Sequence, residues 1–287
     1  MQADQRWTRR GFLAAALTAS AAGLLPAVAS ARARPVFAVV PYLPTRRLVE
    51  LYAPLLPVFS ARLGQPVDIA SAPDYTEHLR RMRAGDYDIV ADSLIFARIA
   101  QREHGHVPIA RTLAPLEPLL VVPVASALTG PHDIKGRALA VTDRTAALAV
   151  IGLRHLRDRN LVPERDFRLL VSNSHANSLH RLLAGEVAAA IVSRTALTQV
   201  AADLAAKVRV LAPLPTGLSA VVYHVAPRLA AQAPALSAAL IDFAGQPAGQ
   251  AFVAALGHQG LVPATAAEMQ ALDPLVVELY YQQRATE

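Results

Sequence analysis

From Val36 onward, short apolar runs alternate with amphipathic stretches of helical period, and this alternation limits the fold more than any other feature. Strands are predicted at residues 36–40, 66–70 and 88–91, with helices at 45–63, 74–84 and 93–103 and an extended run at 107–113. A second set follows, with strands at 137–141, 167–171, 187–192 and 208–211 and helices at 145–159, 175–184 and 194–205. The last third reads as helix at 227–244, 247–256 and 266–284. Strands separated by helical segments build an α/β fold around a largely parallel sheet, because each crossover helix covers a sheet face. Pro54 and Pro57 interrupt the first helix, since proline has no N–H for the helical ladder.

Two continuous apolar runs, at 118–123 and 219–223, belong to neither set. Read as crossings, they divide the chain into lobe one (34–118 and 224–287) and lobe two (119–223). The hinge crossings then lie near 118–123 and 219–225, and the crevice between the lobes is the natural ligand site. One continuous doubly wound sheet is the competing arrangement.

The first 33 residues read differently. Arg9-Arg10 precedes Gly11-Phe12-Leu13, an alanine-rich run follows to Leu25, and small residues offer cleavage after Ala29, Ala31 or Ala33. That order is a secretory signal, and the paired arginines point to the twin-arginine route. The apolar run is too short and too rich in Ala, Ser and Thr for the ~20 residues of a bilayer span. The sequence contains no cysteine, which excludes a lipoprotein anchor, disulfides and thiolate metal sites. A periplasmic protein, exported and then cleaved, is the expectation.

Charge adds little. Residues 1–33 hold four arginines and one acid, so their removal lowers the formal net charge from +6 to +3. No basic stripe with interleaved aromatics occurs, and nucleic acid is not an expected partner. The sequence has no G-x-S-x-G elbow, P-loop, G-x-G-x-x-G, H-E-x-x-H or cysteine nucleophile, so those enzyme classes are excluded. His104-Gly105-His106 is the only hint of metal spacing and reads as a surface loop. Neither metal nor cofactor is expected.

Several segments together resemble a known family. Asp133-Ile134-Lys135-Gly136-Arg137 is similar to the entry into lobe two of bacterial solute-binding proteins. Asn173-Ser174-His175-Ala176-Asn177-Ser178, leading to Leu183-Ala184-Gly185-Glu186-Val187-Ala188-Ala189, resembles a stretch of the phosphate/phosphite/phosphonate-type periplasmic binding proteins. Arg83-Ala84-Gly85-Asp86-Tyr87-Asp88-Ile89 and Gly257-His258-Gln259-Gly260-Leu261-Val262-Pro263 are similar to two further motifs of that family. The resemblance implies a type II periplasmic binding protein: two α/β lobes, a two-strand hinge, no catalysis, and a small anion passed to an inner-membrane ABC permease. A sensor module that presents its closed form to a membrane histidine kinase is the alternative, and the chain is expected to act as a monomer.

Helix starts just after strand ends direct free N–H groups into the crevice, which suits an oxyanion or a carboxylate. They fall near Asp74, Ser93, Thr145, His175 and Arg194. The candidate ligand-binding residues are Tyr42, Tyr75, Ser93, Thr142, Asp143, Thr145, Ser174, His175, Ser193 and Tyr223. Each has a plainer reading: Tyr42 and Tyr75 as packed aromatics, Ser93, Ser174 and Ser193 as helix caps. Asp92-Ser93 reads first as a capping pair and Phe96 as core. In phosphonate binders the turn at Thr142-Asp143-Arg144-Thr145-Ala146-Ala147 carries hydroxyls, where this chain has alanines and then Leu148. A dianion left with unpaired oxygens is costly, so a less charged or more apolar ligand, such as a carboxylate, is expected.

Overall fold

The structure is a computed structural model describing residues 34–214 and 216–284. The predicted twin-arginine signal and its cleavage points lie outside the described residues.

Lobe one begins with β1 (Val36–Val39), α1 (Thr45–Tyr52), α2 (Leu56–Leu63), β2 (Asp68–Ser71), α3 (Tyr75–Ala84), β3 (Ile89–Ser93), α4 (Leu94–His104) and β4 (Val107–Thr112). A 3-10 turn at Ala53–Leu55 separates α1 from α2, where Pro54 removes a helical donor. Lobe two contains β5 (Pro118–Pro123), β6 (Ala138–Val141), α5 (Ala147–Arg157), β7 (Arg168–Val171), α6 (His175–Leu183), β8 (Ala189–Ser193), α7 (Arg194–Gln199), α8 (Ala202–Ala205) and β9 (Val208–Pro213). The chain then returns through β10 (Val221–Val225) to α9 (Ala233–Gly245), α10 (Pro247–Leu256), β11 (Leu261–Val262), α11 (Ala266–Gln270) and α12 (Asp273–Arg284).

The two sheets have strand orders β11-β4-β10-β3-β1-β2 and β7-β6-β8-β5-β9. Both are mixed rather than largely parallel. β1 lies parallel to β2 and β3, and β6 parallel to β7 and β8. The strands next to each crossing run the other way: β10 is antiparallel to β3 and β4, and β5 to β8 and β9. Parallel pairs need crossover helices, whereas a strand arriving from the other lobe brings none and pairs antiparallel.

In each sheet the first strand of the parallel set is central, so successive crossovers leave it on opposite sides. The gap at the carboxyl ends of such strands is where open α/β sheets bind ligands.

Between the lobes the chain runs through residues 113–117 and 216–220. These form a short antiparallel ribbon, with Leu116 N–H donating to the Leu218 carbonyl at 2.6 Å and Ala220 N–H to the Ala114 carbonyl at 3.2 Å. Strands β5 and β10 each lie inside one sheet, just beyond this ribbon.

The outer core of lobe one is aromatic, with Phe37 edge-on to Phe59 at 5.0 Å and Tyr52 to Phe252 at 5.7 Å. A second core is continuous between lobes, joining Val90, Ile95 and Phe96 to Val141, Leu148 and Ile151.

Three predicted helices are broken. The 194–205 stretch stops at Val200, whose backbone is extended (φ −81°, ψ 165°). The 227–244 stretch starts as a 3-10 turn, Pro227–Gln232. The 266–284 stretch divides before Asp273-Pro274, because proline cannot continue the ladder of α11. Helix α12 touches both lobes: Arg98 donates to Asp273 (2.8 and 3.0 Å), and Arg157 pairs with Glu278.

Candidate functional site

A cavity of about 110 Å³ opens between the two sets of strand ends. From lobe one it receives Val40 and Tyr42 beyond β1, Tyr75 at the start of α3, and Ser93 at the end of β3. From lobe two it receives Thr142 beyond β6, His175 at the start of α6, and Ser193 at the end of β8. The same three places in each lobe therefore contribute, as expected when two switch points meet.

Local chemistry explains how these residues are held. The Ser93 hydroxyl accepts from Phe96 N–H at 3.4 Å and caps α4; the Ser193 hydroxyl accepts from Ala196 N–H at 2.9 Å and caps α7. Asp74 caps α3 by accepting from Glu77 N–H at 2.7 Å, which turns Tyr75 toward the cavity wall. The Tyr42 hydroxyl lies 3.3 Å from that of Tyr52. Burial pushes the Tyr42 hydroxyl up to about 12 and that of Tyr75 well above its ordinary value, so both remain neutral donors.

Helix α5 differs from its neighbours. Its cap position is Ala146, which has no side-chain hydrogen bond to offer, and the cavity touches Ala146, Ala147 and Leu148 in succession. The helix starts two residues later than predicted because Asp143 ties down the turn. Its carboxylate accepts from the Thr145 N–H at 2.7 Å and from the Thr145 hydroxyl at 2.6 Å. These bonds hold 143–146 out of the helix and leave the first N–H groups of α5 without a side-chain cap.

Of the ten predicted contact residues, the structure brings Tyr42, Tyr75, Ser93, Thr142, His175 and Ser193 to the cavity. Four stand apart from its wall. Asp143 and Thr145 engage each other, and Ser174 caps α6 by accepting from Asn177 N–H at 3.1 Å. Tyr223 is fully buried in the lobe-one core, where burial raises its hydroxyl far above the ordinary range. Arg144 turns away to pair with Glu164 at 2.7 Å.

Other lining residues were not among the expected contacts, although His258 lies in the 257–263 motif. The crossing ribbon supplies Ala114, Pro115, Leu116, Glu117 and Ala220. Thr195 and Gln199 come from α7, and His258 from the loop after α10. Packing between segments distant in sequence brings them together. Glu117 is bound by Arg194, and no lysine or arginine lines the cavity.

His175 and His258 share one property. The Nδ1 atom of each is buried and lacks a hydrogen-bond partner. Burial pushes both imidazoles down to about 4, so they are neutral near pH 7.

Asp92 does not face the crevice. It is fully buried on β3, 3.3 Å from the Nε2 atoms of both His78 and His224, and accepts from Ser93 N–H at 2.8 Å. Burial favours its neutral form, but the two histidines hold the carboxyl well below its usual range. His106, expected in a surface loop, is instead 4% exposed, and its Nδ1 lies 2.9 Å from that of His224. Its place is fixed by β4, which starts one residue later and pairs with β10. Among the described residues, no group of three His, Cys, Asp or Glu side chains is placed to hold a metal ion.

The family described as "ABC transporter, phosphonate, periplasmic substrate-binding protein" matches residues 37–269. No curated protein matches the chain in sequence. Among solved structures, the chain is similar to a binding-protein component of an ABC phosphonate transporter from Pseudomonas aeruginosa. The TM-score is 0.75 at 18% identity, covering 88% of this chain and 89% of that one. PhnD1 from Prochlorococcus marinus, solved in complex with methylphosphonate, matches with TM-score 0.75 at 11% identity, covering 86% and 98%. XAC2383 from Xanthomonas citri, solved bound to ATP, matches with TM-score 0.73 at 16% identity, covering 88% and 99%. At these identities the likeness bears on the fold, and it is the two-lobed fold expected from the sequence.

Proposed function

The chain belongs to the periplasmic substrate-binding family of phosphonate-type ABC transporters, and from that membership we propose that it captures a small anionic ligand between its lobes and delivers it to an inner-membrane ABC permease. The ligand is a phosphonate- or phosphate-like oxyanion or a carboxylate. The family is non-enzymatic, and binding is the whole of its chemistry.

One observation carries the reading: the first turn of α5, with no side-chain cap, borders the same cavity as His175, whose buried Nδ1 has no partner. Free N–H groups and the positive end of the helix dipole favour an anion there. Tyr42, Tyr75, Ser93, Thr142 and Ser193 add hydroxyls from both lobes, so a ligand that touches all of them is held only when the lobes are closed. Binding therefore shifts the population toward the closed form, which docks on the permease. The protein works as a monomer, and Arg9-Arg10 supports export in the folded state by the twin-arginine pathway.

Thermal denaturation with a panel of phosphate, phosphonates and small carboxylates tests the reading. A true ligand at about 100 times its Kd stabilises by about 2.7 kcal/mol, a rise of roughly 5–10 °C in Tm for a chain of this size. His175→Ala and Tyr42→Ala weaken that ligand without unfolding the protein. Unchanged affinity in both variants refutes the assigned site, and a panel that leaves Tm unmoved refutes anion capture. Replacing Arg9 and Arg10 by lysine is expected to hold the precursor in the cytoplasm, and normal export of that variant overturns the twin-arginine assignment.

A further inference from the structure

We propose that the cleft selects a singly charged oxyanion carrying a short apolar group, clasped between the imidazoles of His175 on lobe two and His258 on lobe one. This deepens the small-anion reading and rests on it.

The first argument is charge. No lysine or arginine lines the cavity, and Glu117 brings a carboxylate to its wall. The one arginine at the neighbouring helix start, Arg194, is already bound to Glu117. The penalty for taking an ion out of water grows with the square of its charge, so a dianion faces about four times the penalty of a monoanion. Helix N–H groups, hydroxyls and imidazole N–H groups offset a single charge, but with no fixed cation they do not offset two.

The second argument is the pair of histidines. His258 is 4% exposed and lines the cavity, and its Nδ1 has no partner. A buried polar atom without a partner is costly, and because its residue lines the cavity, a ligand that reaches it relieves that cost. His175, half-buried, lines the cavity from the other lobe, and its Nδ1 is likewise buried without a partner. Both imidazoles are neutral, so with Nδ1 protonated each donates one hydrogen bond without adding charge. Such a pair serves a monoanion that must be gripped from two sides.

The third argument is shape. Leu116, Leu148, Val221 and Leu256 give the cavity apolar walls. An apolar cavity of about 150 Å³ holds benzene, so about 110 Å³ admits an oxyanion head with a substituent of only a few carbons.

The test compares methanesulfonate with methylphosphonate by calorimetry on the mature protein, with propionate and inorganic phosphate alongside. The first two share a shape but differ in charge at alkaline pH, where methylphosphonate is a dianion. The expected result is at least about ten-fold tighter binding of a monoanion than of either dianion, with methylphosphonate gaining affinity as acid converts it to its monoanion. His258→Leu is expected to raise the monoanion's Kd about ten-fold or more, the cost of one lost hydrogen bond to a charged group, while His258→Asn, which keeps a donor at the δ position, retains binding. Equal or tighter binding of dianionic methylphosphonate overturns the proposal but leaves anion capture standing, as does unchanged affinity in folded His258→Leu. If no anion in the panel binds, the small-anion reading itself fails and this proposal falls with it.

Discussion

A buried neutral histidine has a thermodynamic signature that can be measured without any ligand. His258 is 4% exposed, and burial lowers its imidazole to about 4 from an ordinary 6.5. Below pH 6.5 the unfolded chain takes up a proton at this position that the native chain refuses. Stability is therefore greatest above pH 6.5 and falls as pH drops toward 4, where the loss levels off. Each pH unit in that window is worth about 1.4 kcal/mol, so His258 alone removes about 3 kcal/mol. Asn at this position keeps a donor of similar reach and does not titrate. Urea unfolding of the wild type and of His258→Asn at several pH values between 7 and 4 isolates the effect, because His175 and His106 titrate alike in both proteins. The stability difference between them is expected to move by about 3 kcal/mol across the window, with the wild type losing more. A difference that stays flat with pH refutes the argument: His258 is then hydrated or charged in the native state, and the neutral clasp has no basis.

Three further outcomes follow from other parts of the structure. Ala146→Asp supplies α5 with the side-chain cap it lacks; anion affinity in calorimetry is expected to fall at least about ten-fold, because the new carboxylate occupies the donors meant for the ligand and repels it. Arg157→Ala removes the guanidinium that pairs with the Glu278 carboxylate, 5% exposed, and chemical denaturation is expected to show a loss of about 3 kcal/mol. Gly249→Ala drives a Cβ to 1.7 Å from the Phe243 carbonyl oxygen where α9 meets α10, so a stability loss of about 3 kcal/mol or more, or failure to accumulate folded protein, is expected.

Much of the fold was legible because it is written in local terms. Period and punctuation place most strands and helices: Pro54 breaks the first helix, Pro57 sits in the first turn of α2 rather than breaking it, and Asp74, Ser93, Ser174 and Ser193 sit at helix starts, where their side chains accept the orphan N–H groups. The two apolar runs outside the βα repeats pointed to a chain that crosses between lobes. The antiparallel direction of β5 and β10 was not legible, because strand pairing depends on which sheet each strand joins rather than on its own residues. The breaks at Val200 and before Asp273 are not legible in the apolar pattern, which runs on through them.

The site divides the same way. Tyr42, Thr142 and His175 follow a strand end or open a helix, positions that the sequence carries, and the structure places all three at the cavity. The turn around Thr145 also showed, from its alanines, that the hydroxyls of the phosphonate-type turn are missing. Packing between distant segments decided the rest. It brought His258, Glu117 and the 113–117 ribbon to the same cavity, and it placed Tyr223 in the lobe-one core. Local hydrogen bonds and hydrophobic period act over a few residues, so one sequence determines them directly. Which side chains face a shared cavity, and whether a buried nitrogen there finds a partner, depends on segments more than 100 residues apart packing against each other, and only the tertiary structure decides it.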